Sequence, residues 1–211
     1  MKTVLPTLLL CVLILSGCAS TSTSTAKVTK PEKYYVGFMP LVVYTNSEFS
    51  QLDSATYEEH IRGKFNNLER SMYRNQLEKT LVRNFNRENA QTRLVKSSDL
   101  FEINTDIGYR EFLQKVQATG VDGILLINQS GYWHTTDYTT VHYDNVSSTT
   151  ANPQPNAAYH AYLIDVHTLK PVWYANSVVT GVYAGFDTLN NHLARALFRK
   201  LRKDKYILAT Y

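Results

Sequence analysis

Val121–Asn128 (VDGILLIN) narrows the choice of fold more than any other stretch of the chain. From Gly123 to Ile127 the run is apolar without polar alternation, the pattern of a strand covered on both faces. Gly120 stands directly before it, and before that Tyr109, Phe112, Leu113 and Val116 recur at helical spacing. The pattern predicts a helix beginning near Asp106, burying those four side chains and stopping at Gly120, which suits a left-handed C-cap. Helix, glycine stop and buried strand in direct succession require a layered α/β arrangement with cover on both sides of a sheet.

The rest of the chain supplies the other elements. Tyr34–Tyr44 (YYVGFMPLVVY) is β-branched and aromatic and reads as a first strand, with Gly37 and Pro40 limiting regular pairing near its middle. Residues 45–67 are polar, with one short helix near 57–65. Tyr73, Leu77, Leu81 and Phe85 form an apolar stripe for a helix over Leu68–Phe85, with Arg70, Arg74 and Arg83 off the stripe. Arg93–Lys96 reads as a short strand, and Ser97, Ser98 and Asp99 as a turn or cap. Ser130–Ala158 is a polar excursion with no helical stripe. It reads as two strand extensions leaving the sheet, with a mobile Asn/Pro tip at about 145–157. Tyr159–His167 and Lys170–Thr180 form a hairpin around Thr168-Leu169, and Trp173 belongs to the core. A last helix starts near Asp187, with Leu189, Leu193, Leu197 and Leu201 as its buried stripe and Ala194 and Phe198 beside them. The fold class is α/β (α+β), with a single mixed sheet in the order β-α-β-α-β-β-β-α, helices packed on it and a long polar hairpin excursion.

The amino terminus has a separate logic. Lys2, an apolar run from Val4 to Leu15 and the small residues Ser16 and Gly17 have the layout of a secretory signal. The run is shorter than the ~20 residues a spanning helix needs. Leu15-Ser16-Gly17-Cys18 resembles the lipobox of bacterial lipoproteins. That resemblance implies cleavage after Gly17 and acylation of Cys18 on its sulfur and its new amino group. An ordinary cut after Ala19 is the alternative, and it leaves Cys18 without a role. Two acyl signals suffice for stable attachment where one does not, since each buried methylene contributes ~0.8 kcal/mol. Ala19, where an aspartate would favour inner-membrane retention, implies by analogy with enterobacterial lipoproteins an outer-membrane destination facing the periplasm. The expected organisation is a signal peptide over 1–17, lipidated Cys18 with a flexible Ser/Thr/Lys-rich tether over 18–33 spanning roughly 20 Å, and one globular domain over 34–211.

Cutting there removes Lys2 and Cys11, so the formal charge falls from +4 to +3 (+4 minus one) and Cys18 is the only thiol left. No disulfide, cysteine zinc site or cysteine nucleophile can then form, and stability must come from a core. The mild basic balance is no nucleic-acid signature. Neither a nucleophile elbow, a phosphate loop, a dinucleotide fingerprint nor a His-Glu-x-x-His motif occurs, so the reading is non-enzymatic and without cofactor. His134 with Asp137 and His142 with Asp144 invite a metal. On an extended strand, however, the two histidines lie about 26 Å apart, so the reading is no metal. Tyr132, Trp133, Tyr138 and Tyr143 are the candidate partner-binding residues, because aromatics give large contact area at low entropy cost. The other reading of these four is that they pack on the sheet below. Arg195, Arg199, Lys200, Arg202, Lys203 and Lys205 crowd the end of the last helix. They read as a solvated face suited to the helix dipole, or as a contact to anionic lipid.

The order of elements, with TGVDGILLINQSG, the polar excursion, YLIDVHTLKPVWYANSVVTG and a closing amphipathic helix, resembles a group of envelope proteins. The group includes the amino-terminal domain of TolB, the lipoprotein activator of a penicillin-binding protein, and the curli-secretion and Pel-export lipoproteins. Related proteins often carry a Thr-Gly-Lys/Glu turn where this chain has Thr168-Leu169-Lys170 before Trp173. The chain departs from the group in lacking a long Pro-rich tether and the apolar hairpins of the curli pore. The resemblance implies an accessory subunit of an envelope or export complex with a protein partner, and a homo-oligomer is compatible with it. The second functional reading is a glycan- or peptidoglycan-binding lipoprotein module.

Overall fold

A computed structural model describes residues 20–31, 33–43, 71–88, 91–102, 107–144, 146–181 and 186–208. The signal, Gly17, Cys18 and the short helix expected near 57–65 lie outside these. The elements are β1 (Ser20–Lys27), β2 (Gly37–Val43), α1 (Ser71–Glu88), β3 (Arg93–Leu94), α2 (Tyr109–Ala118), β4 (Gly123–Tyr143), β5 (Val146–Asp165), β6 (Pro171–Thr180) and α3 (Phe186–Lys203), with a 3₁₀ turn at Ser97–Asp99. One six-stranded mixed sheet has the order β1-β6-β5-β4-β2-β3. β2 runs parallel to β3 and β4, and the other neighbours pair antiparallel.

The expected two-sided burial of the 121–128 run is found. Leu125 and Ile127 belong to a core shared with Leu77, Leu81 and Phe85 of α1 and the leucine stripe of α3. Ile124 and Leu126 face the opposite core with Phe112 and Val116 of α2. Each such side chain contributes about 1.5–3 kcal/mol on full burial, so neither face of β4 can be left open. Gly120 takes φ +70° after α2, as its place after the helical stripe requires. Pro40 marks the end of the β2–β3 ladder. The carbonyls of Val36 and Phe38 accept from the N–H groups of Arg93 and Val95 at 2.8 and 2.9 Å. The next donor on that side would be residue 40, which has none.

Three expectations need correction. Residues 20–27 are not a flexible tether: they pair with β6 from Ser20↔Thr180 to Lys27↔Trp173 as an edge strand. Ser and Thr carry no core surface, but an available sheet edge satisfies their backbone, and Thr23 and Ser177 add a hydroxyl contact at 3.0 Å. The Asn/Pro stretch is not a mobile loop over 145–157, because β4 runs to Tyr143 and β5 is continuous from Val146. Pro153 and Pro155 fit this strand without loss. The Pro155 carbonyl accepts from Gly181 N–H at 2.9 Å, so both prolines point their missing donors away from β4. Finally, Arg74 is buried within α1, where Nε donates to Glu78 Oε1 at 3.2 Å and Nη2 to Ser97 Oγ at 2.5 Å.

Leu169, the middle residue of the Thr168-Leu169-Lys170 turn between β5 and β6, takes φ +57°. A side chain there is strained by ~1–2 kcal/mol, which glycine relieves at an entropic cost of roughly 0.5–1 kcal/mol. Leu169→Gly is therefore expected to stabilise the protein slightly, by about 0.5–1 kcal/mol, read as a higher urea midpoint at unchanged slope.

Candidate functional site

β4 and β5 pair from Gly123↔Asp165 to Tyr143↔Val146, far beyond their neighbours. β2 leaves β4 at Asn128, and β6 leaves β5 at Asn156. Beyond those points the two strands form a bare ribbon, with no further strand on either edge among the described residues. At ~3.3 Å per residue it projects roughly 40 Å. Its cross-strand contacts are polar: Thr140 with Thr149 at 2.9 Å, Asn156 Nδ2 to Thr135 Oγ1 at 3.2 Å, and Gln154 Nε2 to Asp137 Oδ2. Such pairs contribute about 0.2–1 kcal/mol each, and a free two-stranded ribbon is marginal. The root in the six-stranded sheet holds it.

A register shift between Gln129 and Gly131 marks that root, with Ser130 as the extra residue. The shift reverses which side chains face which side. Tyr132 therefore takes the α1/α3 side, packs on that core, and meets His134 Nε2 at 3.2 Å with its hydroxyl. Trp133 turns to the opposite side, 41% exposed. Tyr138 (72% exposed) shares the side of Tyr132, and Tyr143 (74%) that of Trp133. The four predicted partner-binding residues thus occupy one ribbon but two faces, and Tyr132 also serves as its packing foot. Val141 and Val146, which the sequence reading passed over, share Tyr143's face, and Val146 is 70% exposed. Their signal is alternation: apolar residues two apart in an otherwise polar strand. His134 and His142 stand on paired positions eight residues apart, opposite Pro155 and Ser147. Among the described residues no three His, Cys, Asp or Glu side chains come together.

The opposite end of the sheet is closed by polar chemistry. Asp165 ends β5 and accepts from Lys33 Nζ and Tyr35 Oη, both at 2.9 Å, and from the N–H groups of His167 and Thr168, both at 2.9 Å. Tyr206 Oη donates to the carbonyls of Thr29 and Val172 at 2.6 and 2.8 Å, while Trp173 Nε1 donates to Asp204 Oδ2 at 2.9 Å. Burial pushes the Asp165 carboxyl up, but Lys33, the Thr168 N–H and Tyr35 together outweigh it and hold it at about 2. Burial and the adjoining Asp165 carboxylate raise Tyr35, and burial with Asp204 pushes Tyr206 up to about 12. These contacts tie the β1–β2 connection to the β5–β6 turn.

Asp165 has a folded-state pKa below its ordinary value of 3.8, so its stabilisation is present above about pH 4 and disappears as pH falls towards 2. Asp165→Asn is expected to lower stability at pH 7 by up to about 2 kcal/mol. The gap from the parent protein should narrow as pH is lowered from 4. Urea unfolding across that range checks both the size and the direction.

No family model matches the chain, and no curated protein matches it. Among solved structures it is similar to the PelC dodecamer from Paraburkholderia phytofirmans, at 13% identity and a TM-score of 0.37, covering 90% of this chain and 99% of that one. It is also similar to lipoprotein GNA1162 from Neisseria meningitidis, at 12% identity and a TM-score of 0.37, covering 80% of this chain and 99% of that one.

Proposed function

We propose that the protein is a periplasm-facing lipoprotein of the outer membrane, cleaved after Gly17 and anchored through Cys18. In this reading it is a non-catalytic accessory subunit of an envelope or export complex and captures a protein partner, or a further copy of itself, on the β4–β5 ribbon. The observation that carries the reading is the ribbon itself: a long polar arm with open edges and exposed aromatic and valine side chains gathered towards its end. Open edges template pairing with another chain, and exposed tyrosines anchor interfaces. The register of β1 adds a spatial argument. Ser20 pairs with Thr180, which pairs with Asn156 at the ribbon root. Only Ala19 separates Cys18 from that strand, a reach of about 7 Å. A lipid on Cys18 therefore lies at the end of the sheet from which the ribbon leaves, so the arm works near the bilayer and the β5–β6 turn faces away from it.

Two experiments test this. Replacing Asp137–Asn152 by Asn-Gly removes the distal ribbon between the paired residues Thr136 and Pro153. The shortened protein should unfold cooperatively and lose its cross-linked partners in intact cells. Unchanged cross-links from a well-folded deletion would sink the docking role. Cys18→Ser should abolish labelling by a palmitate analogue and move the protein out of the membrane pellet, whereas persistence in the pellet would remove the anchor.

A further inference from the structure

α1 and α3 form a cleft of about 340 Å³ in which positive charge converges without a carboxylate among its described lining residues. Arg83 and Arg87 stand one turn apart on α1, and His192 and Arg195 approach from α3. The cleft is built on two helices locked by the core beneath, where Phe85 meets Phe198 edge-on at 5.3 Å between ring centres. Asn191 organises it: its Oδ1 accepts from Arg83 Nη2 at 3.0 Å and Asn84 Nδ2 at 2.9 Å, while its own Nδ2 is held by the Asp187 carbonyl at 2.7 Å. Arg83 is therefore oriented by a neutral acceptor instead of being neutralised by an acid. The electrostatic consequence is visible at His192, whose imidazole is held below its ordinary range by burial and then by Arg195 and Arg199.

Like charges gathered on rigid helices repel one another and destabilise the fold unless an anion joins them. Guanidinium groups present planar forks of donors that match phosphoryl oxygens, and a histidine beside them adds a third donor when protonated. We infer that the α1–α3 cleft is a binding site for a phosphoryl group, with Arg83, Arg87 and Arg195 as its cationic donors and His192 as the residue that becomes protonated on binding. Sequence inspection alone shows Arg195 and Arg199 only as part of the basic run on α3. The packing of α1 against α3 brings the other two arginines to them. The site is independent of the ribbon and of the lipid anchor.

The test is an NMR titration of His192 in the purified full-length protein with inorganic phosphate, compared with sodium chloride at matched ionic strength. Chloride controls for screening, which also relieves arginine repulsion. Phosphate should raise the His192 midpoint by about half a pH unit or more beyond chloride, since a dianion close by favours the imidazolium. Arg87→Gln with Arg195→Gln, both on exposed helix faces, should remove the difference without lowering the unfolding midpoint. The same titration with phosphatidylglycerol vesicles separates the sources of the phosphoryl group. Response to free phosphate assigns a soluble ligand, and response to vesicles assigns a lipid headgroup. Identical midpoints in phosphate, vesicles and chloride, or a phosphate effect that survives the double substitution, overturn the site.

Discussion

The pairing of β4 with β5 is the contact on which the remaining structure depends, because it changes physical character partway along. Through its first half the ladder is buried on both sides, with Leu125 and Ile127 under α1 and α3, and Ile124 and Leu126 under α2. There the hydrophobic effect fixes the register, since a slip by one residue would exchange the two cores. Past the pair Trp133↔Asn156 the same ladder runs on with no neighbouring strand among the described residues, and polar cross-strand pairs such as Thr140 with Thr149 hold it. The outer half is therefore ordered by its root and lacks a core of its own. Surface that a protein orders without burying is surface available to something else.

The far end of the sheet is organised by a different interaction. Asp165 gathers a lysine, a tyrosine and two backbone donors from segments distant in sequence. Tyr206 bridges the carbonyls of Thr29 and Val172 across the chain. These bonds fasten the segment that leads from β1 to β2, which in turn lets β1 lie along β6. The Ser/Thr-rich strand thus contributes an edge, which needs hydrogen bonds, and no core, which would need apolar side chains. Its register sets Ser20 opposite Thr180, which pairs with Asn156 at the ribbon root.

Charge follows the same division between local pattern and packing. Arg74 and Glu78 lie one turn apart on α1 and meet Ser97 in the 3₁₀ turn, so that a buried pair sits where the helical stripe alone would place solvent. Arg83 and Arg87, one and two turns further, line the two-helix cleft with Arg195, and Arg83 donates there to the neutral Asn191, with no acid among the described lining residues. One helix therefore carries a satisfied cation at its buried end and unneutralised ones where it meets α3.

The sequence by itself determined the elements whose signal is periodic or local. The all-apolar 123–127 run dictated two-sided burial, the stripe Leu189–Leu193–Leu197–Leu201 dictated α3, and Gly120 dictated the end of α2, because each pattern is set by geometry repeating every two or 3.6 residues. Also legible were the hairpin around Thr168-Leu169 and the burial of Trp173. Only the tertiary structure decided the rest. Residues 20–27 look unfoldable by composition and become a strand because β6 offers an open edge. Tyr132 and Trp133 exchange faces because one extra residue enters β4 at the ribbon root. The prolines of β5 are harmless because their missing donors point away from β4, at and beyond the end of the β6 ladder. Edge availability, register shifts and the meeting of residues 80 to 110 apart in sequence are properties of the assembled sheet and its helices, and no window of local sequence contains them.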